Sequence, residues 1–223
     1  MAVITNKIIV SRLNLQAMRA VSLFGIIGVI FFFMHILFGR IFYEGYNPFA
    51  QAISDLTAAN SPSKNIASVF SFLYGIFSVM FSVGFFVYFK GKINKIITVA
   101  SCLFCAMTLI SFFGYAFFPL SQTEVTEGKF QDIMHLAVTI LVVLLTIISI
   151  ILFGIGFLKT KDCKILGIIS LFTFLLLLTG ATLVNILPKE YLGVAQRINV
   201  YSMMIYTAIL SLWMYLAVRA AGE

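Results

Sequence analysis

Long apolar stretches separated by short polar segments run along the chain from end to end. Each stretch is continuous rather than alternating, and none contains Lys, Arg, Asp or Glu. A helix that crosses a membrane needs about 20 apolar residues, and a continuous run of that length in lipid is typical of a helix. The pattern therefore predicts six transmembrane helices, at about 21–38, 66–89, 96–118, 133–158, 165–187 and 198–218.

The composition agrees with a chain surrounded by lipid. Of the 223 residues, 61% are hydrophobic and only 10% are charged, whereas soluble domains carry about 25% charged residues. We therefore expect an all-α integral membrane protein, a six-transmembrane-helix bundle in which residues 1–223 form a single membrane domain.

The placement of charge predicts an orientation. The connections after the second and fourth stretches are short and basic, with Lys90, Lys92 and Lys95 in the first of them. Six of the eight acids follow the first, third and fifth stretches: Glu44, Asp55, Glu124, Glu127, Asp132 and Glu190. By the positive-inside rule the basic side is cytoplasmic, so we expect a cell-membrane protein with both termini in the cytoplasm. The net charge of +7 is thereby explained, and we expect no nucleic-acid partner.

The first outer connection has a pattern of its own. Asn47-Pro48 is typical of a helix start, with Asn as cap and Pro at the first position. Apolar residues then recur at helical spacing, so we expect a short amphipathic helix over Pro48–Ala59 that lies in the headgroup layer or covers the bundle. Residues Ser11–Arg19 predict a second short helix, at the cytoplasmic interface.

Polar residues are concentrated at the outer ends of the predicted spans. Polar groups near lipid are costly and often mark functional sites. We expect His35, Asp55, His135 and Arg197 to converge in one outward-facing pocket beneath the loop helix. The full set of binding or polar-cap candidates is His35, Ser54, Asp55, Asp132, His135, Gln196 and Arg197.

These candidates allow two interpretations, which the residues leave open. His35, His135 and Asp55 could hold zinc with one position free for water, which the metal would convert into a nucleophile. Alternatively the same residues form a structural cap, with Asp132 bonded to His135 and Arg197 bonded to Asp55.

Three motifs carry a family resemblance. They are Gly45-Tyr46-Asn47-Pro48 through Ile53-Ser54-Asp55-Leu56-Thr57-Ala58, then Phe118-Pro119 followed by His135, and a G-x-x-Q-R motif ending at Arg197. Together they resemble the bacterial membrane family catalogued as domain of unknown function 998, although Asp55 stands where that family usually has Glu. The first motif is also similar, more distantly, to damage-regulated autophagy modulator proteins, which have six spans. The layout is more remotely similar to alkaline ceramidases and progestin–adipoQ receptor hydrolases, whose zinc sites use three His where this chain has two.

The expected function is to bind a lipid or small amphiphile in an outward-facing, polar-capped cavity, with membrane lipid as the partner. The alternatives are a zinc-dependent membrane hydrolase acting on lipid and a small-molecule transporter. Transport is the less favoured of these, because the middles of the spans carry no charge and no obvious helix break. The sequence leaves open whether the protein is an enzyme, whether zinc binds, and the oligomeric state.

Overall fold

A computed structural model describes residues 12–121 and 130–222, and six long helices account for most of them. All six are long and apolar enough to cross a membrane, which confirms the predicted class of fold. Ser11, Glu124 and Glu127, used in the sequence analysis, lie outside the described residues. The helices are α1 Arg12–Ile41, α2 Lys64–Phe89, α3 Lys95–Phe117, α4 Phe130–Leu158, α5 Lys164–Ile186 and α6 Leu192–Ala220.

The start of α1 corrects one expectation. Helix α1 runs without a break from Arg12 to Ile41. The predicted separate interface helix is therefore the first part of α1. The run from Arg12 to Arg19 contains no Gly or Pro that would end a helix before the apolar stretch begins.

The six helices form a closed ring in chain order. Each helix packs against the next, and α6 packs against α1. Aromatic side chains fill the interior of this ring. The ring of Phe85 in α2 lies 5.8 Å from that of Phe153 in α4, although these two helices are not neighbours. Both side chains are fully buried, so the bundle has a packed core at this level.

The connections separate charge between the two ends of the bundle. The first loop, residues 42–63, joins α1 to α2 and contains the 3-10 helix Ile53–Thr57. Its Ala59 N–H donates to the carbonyl of Leu120, and its Phe49 carbonyl accepts from Val194 N–H, so the first loop meets the α3–α4 connection and the start of α6 at one end. We call this the loop end. The exposed lysines of the α2–α3 and α4–α5 connections lie at the other end.

Candidate functional site

The first loop folds differently from the helix that its sequence predicts. One turn closes at residues 47–51, where the Asn47 carbonyl accepts from Gln51 N–H at 2.8 Å and the Asn47 side chain accepts from Phe49 N–H at 3.0 Å. The chain then extends at Ala52 before the 3-10 helix. The predicted helix over Pro48–Ala59 is therefore wrong in its extent: the segment forms a turn followed by the 3-10 helix Ile53–Thr57.

Asp55 caps this 3-10 helix. Its Oδ2 accepts from the backbone N–H of Ala52 at 2.9 Å, and only 5% of the residue is exposed. A carboxylate three residues after the cap position satisfies a backbone donor that the short helix leaves unpaired. Ser54, another candidate, is half-buried beside it, and its carbonyl accepts from the hydroxyl of Thr57.

Arg197 fastens the first loop to α6. Its Nη1 donates to the carbonyls of Gln51 and Gly193, both at 2.9 Å, and its Nη2 donates to the Tyr46 hydroxyl at 2.6 Å. The Tyr46 hydroxyl in turn donates to the carbonyl of Ala52 at 2.8 Å. The expected Arg197–Asp55 bond is therefore wrong, because the guanidinium binds the loop backbone and a phenol instead.

Two further bonds complete the attachment of the loop. The side-chain oxygen of Gln196 accepts from Ile53 N–H at 2.8 Å. Val194 N–H donates to the Phe49 carbonyl at 3.2 Å. The first turns of α6 thus hold both parts of the first loop, the turn and the 3-10 helix.

Gly193 allows this close approach. A Cβ at position 193 would lie 2.5 Å from the carbonyl oxygen of Pro48 and 2.6 Å from that of Gln51. Backbone atoms cannot give way as the end of a side chain can, so a larger residue would push the loop off α6.

Tyr46 stays neutral in this setting. Burial raises the pKa of its hydroxyl above the usual 10.0, against the opposing effect of the Arg197 cation. The hydroxyl can therefore donate to Ala52 and accept from Arg197 at the same time.

His35 ties the loop region to the first helix pair. Its Nδ1 donates to the carbonyl of Ala67 in α2 at 2.9 Å, and the residue is 4% exposed. The backbone of Ile53 also lies close to the same ring. His35 therefore joins α1, α2 and the 3-10 helix.

His135 and Asp132 belong to a second polar cluster, at the junction of α3 and α4. His135 Nδ1 donates to the carbonyl of Phe118 at 2.8 Å. Asp132 accepts from the backbone N–H of Ser121 at 2.9 Å and from its hydroxyl at 2.5 Å. The expected Asp132–His135 bond is wrong, since each side chain instead binds the chain that follows α3.

The structure thus brings together some of the candidates and separates others. Asp55 lies in the first loop, Gln196 and Arg197 bind that loop from α6, and His35 contacts it at Ile53. His135 and Asp132, on α4, instead bond to the chain that follows α3, and α4 does not adjoin α1. Within residues 12–121 and 130–222, no three His, Cys, Asp or Glu side chains form a group that could hold a metal. The zinc set proposed from the sequence, His35, His135 and Asp55, is therefore not assembled.

A cavity lies beside the Arg197 network, between α5 and α6. Its volume is about 700 Å³, within the range of about 300–1,000 Å³ typical of ligand sites. Pro48 and Phe49 of the first loop and Arg197 of α6 line it at the loop end. Its walls are mostly apolar, formed by Ile169, Phe172, Thr173, Leu176, Val194, Ile198, Tyr201, Ser202, Ile205 and Ile209.

The two small hydroxyl side chains in these walls form hydrogen bonds within their own helices. The Thr173 hydroxyl donates to the carbonyl of Ile169, and the Ser202 hydroxyl donates to that of Ile198. Their hydrogen-bonding capacity is thereby partly used, and Arg197 is the charged residue among those that line the cavity.

Comparison with known families gives one match. The family described as "Protein of unknown function (DUF998)" matches residues 26–213, which include every residue of the two polar clusters. The comparisons with curated proteins and with solved structures each found no match. The similarity to autophagy modulator proteins and the bacterial origin remain predictions.

Proposed function

The chain belongs to the DUF998 family of proteins of unknown function, and we propose that it binds a membrane lipid or similar amphiphile in the cavity between α5 and α6. The observation that carries this proposal is a cavity that combines long apolar walls with one polar end at Arg197. An amphiphile has the same two parts, a chain that prefers apolar surroundings and a polar head.

The dimensions of the cavity support a chain as its occupant. Its lining on α6 extends from Val194 to Ile209, a rise of about 22 Å at 1.5 Å per residue. One leaflet of a bilayer contributes about 15 Å of hydrocarbon, half of the total core. A lipid chain that enters sideways between the helices would therefore find apolar wall along its length.

The orientation follows the distribution of charge. Lys90, Lys92, Lys159 and Lys161 are exposed at the end opposite the first loop. We propose that this basic end faces the cytoplasm and that the loop end faces outward, so that the occupant comes from the outer leaflet.

The two alternative functions, a zinc-dependent hydrolase and a transporter, have less support. A hydrolase that uses His35, His135 and Asp55 with zinc would need these residues to meet, and in the described structure they do not. Transport remains a prediction from the sequence, and the aromatic packing between α2 and α4 does not favour a path through the middle of the ring.

Lipid retention by cavity-blocked variants tests the proposal. Ile205→Trp adds bulk to a wall residue that is 57% exposed, whereas Leu212→Trp makes the same change on the same helix at a residue that is 49% exposed and outside the cavity. Mass spectrometry of the purified protein, after washing in a neutral detergent, measures the lipid that stays bound. We expect the wild type and Leu212→Trp to retain a stoichiometric lipid and Ile205→Trp to lose it. Equal retention by both variants, or none by the wild type, would overturn the proposal.

A further inference from the structure

Arg197 stands where the head of a bound amphiphile would lie. It lines the cavity at the same end as Pro48 and Phe49, while the remaining lining is almost wholly apolar. A head group held at this end would leave its chain beside Ile198 and Ile205 further along α6.

The guanidinium has neutral partners within the described chain. It donates to the carbonyls of Gln51 and Gly193 and to the hydroxyl of Tyr46, none of which carries a charge. The carboxylate of Asp55 is close enough to influence Tyr46, but it accepts from Ala52 N–H and does not line the cavity. Among residues 12–121 and 130–222, no carboxylate that lines the cavity is bonded to Arg197.

The geometry of Arg197 also leaves donors for a ligand. A guanidinium carries five N–H donors, two on each terminal nitrogen and one on Nε. The three bonds to the loop and to α6 come from Nη1 and Nη2, and none of them uses Nε. Nε–H and one N–H of Nη2 form one edge of the planar guanidinium, and such an edge can bind a carboxylate or phosphate through two parallel bonds.

We propose that the amphiphile in this cavity is an acyl lipid with an acidic head group, a phosphate or carboxylate bound by Nε and Nη2 of Arg197. This inference rests on the proposed lipid-binding function and makes it specific. A cation beside an apolar cavity in a membrane is costly, and an anionic head group offsets that cost where a zwitterionic one does so only in part.

Competition between two lipids tests the inference on the unmodified protein first. The wild-type protein in neutral detergent is offered equal amounts of phosphatidylglycerol and phosphatidylcholine with identical acyl chains. Mass spectrometry then measures the ratio of the two bound lipids. We expect a preference for phosphatidylglycerol of about tenfold, the effect of one good charge-assisted hydrogen bond.

Variants then assign that preference to Arg197. We expect Arg197→Gln to bind both lipids about equally, and Arg197→Lys to keep part of the preference because it keeps the charge. Gln196→Ala is the matched control, since it removes another anchor of the first loop, the bond from Ile53 N–H, and leaves Arg197 in place. It should keep the full preference.

The outcomes separate this inference from the function on which it rests. If the wild type retains both lipids equally, or Arg197→Gln still prefers phosphatidylglycerol, the acidic-head inference is overturned and lipid binding stands. If the wild type retains neither lipid, the proposed function fails and this inference fails with it. If Arg197→Gln does not fold, the lipid preference of the wild type still tests the acidic-head inference.

Discussion

The Nη2 of Arg197 donates to the Tyr46 hydroxyl over 2.6 Å, although the two residues are 151 positions apart in the chain. This bond joins the motif in the first loop to the motif at the start of α6. The same guanidinium holds the loop backbone at Gln51 and its own helix at Gly193. This side chain therefore bonds the loop at two places beside the polar end of the cavity.

Removing the phenol should loosen this arrangement. Tyr46→Phe takes an acceptor from Arg197 and a donor from the carbonyl of Ala52. A hydrogen bond to a charged group contributes about 1.5–3 kcal/mol to stability, so we expect the free energy of unfolding to fall by about that amount. Thermal unfolding in detergent micelles measures the change.

Tyr43→Phe is the control for this variant. Tyr43 lies in the same loop, with its ring 5.5 Å from that of Tyr46, and it is half-buried. We expect little change from it. Because burial raises the pKa of Tyr46, the hydroxyl stays protonated from neutral pH up to at least the usual value of 10.0. The difference between the wild type and Tyr46→Phe should be constant over that range and decrease only above it, and a difference that changes near neutral pH would contradict the bond.

Gly193→Ala should displace the first loop. The added Cβ would meet the backbone oxygens of Pro48 and Gln51 at 2.5 and 2.6 Å, which rigid backbone cannot accommodate. Helix propensity alone would favour Ala by about 1 kcal/mol, so any destabilisation comes from the clash. We expect faster proteolysis within the first loop and a lower unfolding temperature.

Gly28→Ala makes the same change elsewhere in a helix. Its Cβ would meet the Ser78 hydroxyl at 3.2 Å, a milder contact with a side chain that can rotate. It should leave proteolysis of the first loop as in the wild type. Equal loop cleavage in the two variants would show that Gly193 has no special part in seating the loop.

The sequence predicts the helices far better than the partners of the polar side chains. Gly193, Gln196 and Arg197 are three and four residues apart, so a helix places them on one side, and the motif shows this directly. Their partners are mostly backbone carbonyls and N–H groups of the first loop. Every residue carries such groups, so residue types alone cannot identify the partners.

The depth of a residue in the membrane does not determine the position of its helix around the ring. His35 and His135 lie at the same end of the bundle, as the hydrophobic pattern predicts. The pattern does not say which helices are neighbours, and α1 and α4 do not adjoin in the ring. The two histidines therefore belong to separate clusters even though their depths agree.

Asp55 should behave as a cap rather than as a catalytic group. Asp55→Ala removes the acceptor for Ala52 N–H, and loss of a helix cap costs about 0.5–2 kcal/mol. Asp55→Asn keeps an oxygen in place and should cost less. We expect both variants to retain lipid as the wild type does once they are folded, and loss of binding in a stable Asp55→Asn protein would show a direct role instead.

Cysteine labelling in intact cells tests the proposed orientation. In a background without Cys102, Cys105 and Cys163, one variant carries Lys92→Cys and the other carries Glu44→Cys; both sites are exposed, at opposite ends of the bundle. We expect a membrane-impermeant maleimide to label Glu44→Cys in intact cells and Lys92→Cys only after permeabilisation. The reverse pattern would invert the topology and place the cavity mouth in the inner leaflet.

The two histidines should contribute to stability independently. His35→Ala removes the donor to the Ala67 carbonyl, and His135→Ala removes the donor to the Phe118 carbonyl. Leaving such groups unsatisfied costs about 1–3 kcal/mol each. Because the two sites share no partner, the double variant should show the sum of the single effects to within about 0.5 kcal/mol.

A shared metal would give a different result from two separate caps. If both imidazoles bound one ion, either single change would break the site, and the second would add little. Titration with a denaturing detergent gives the free energies of unfolding for the wild type, both single variants and the double variant. The same titration with a chelator present should leave the wild-type curve where it is. A coupling well above 0.5 kcal/mol, together with a shift on chelation, would restore the metal site that the separate positions of His35 and His135 argue against.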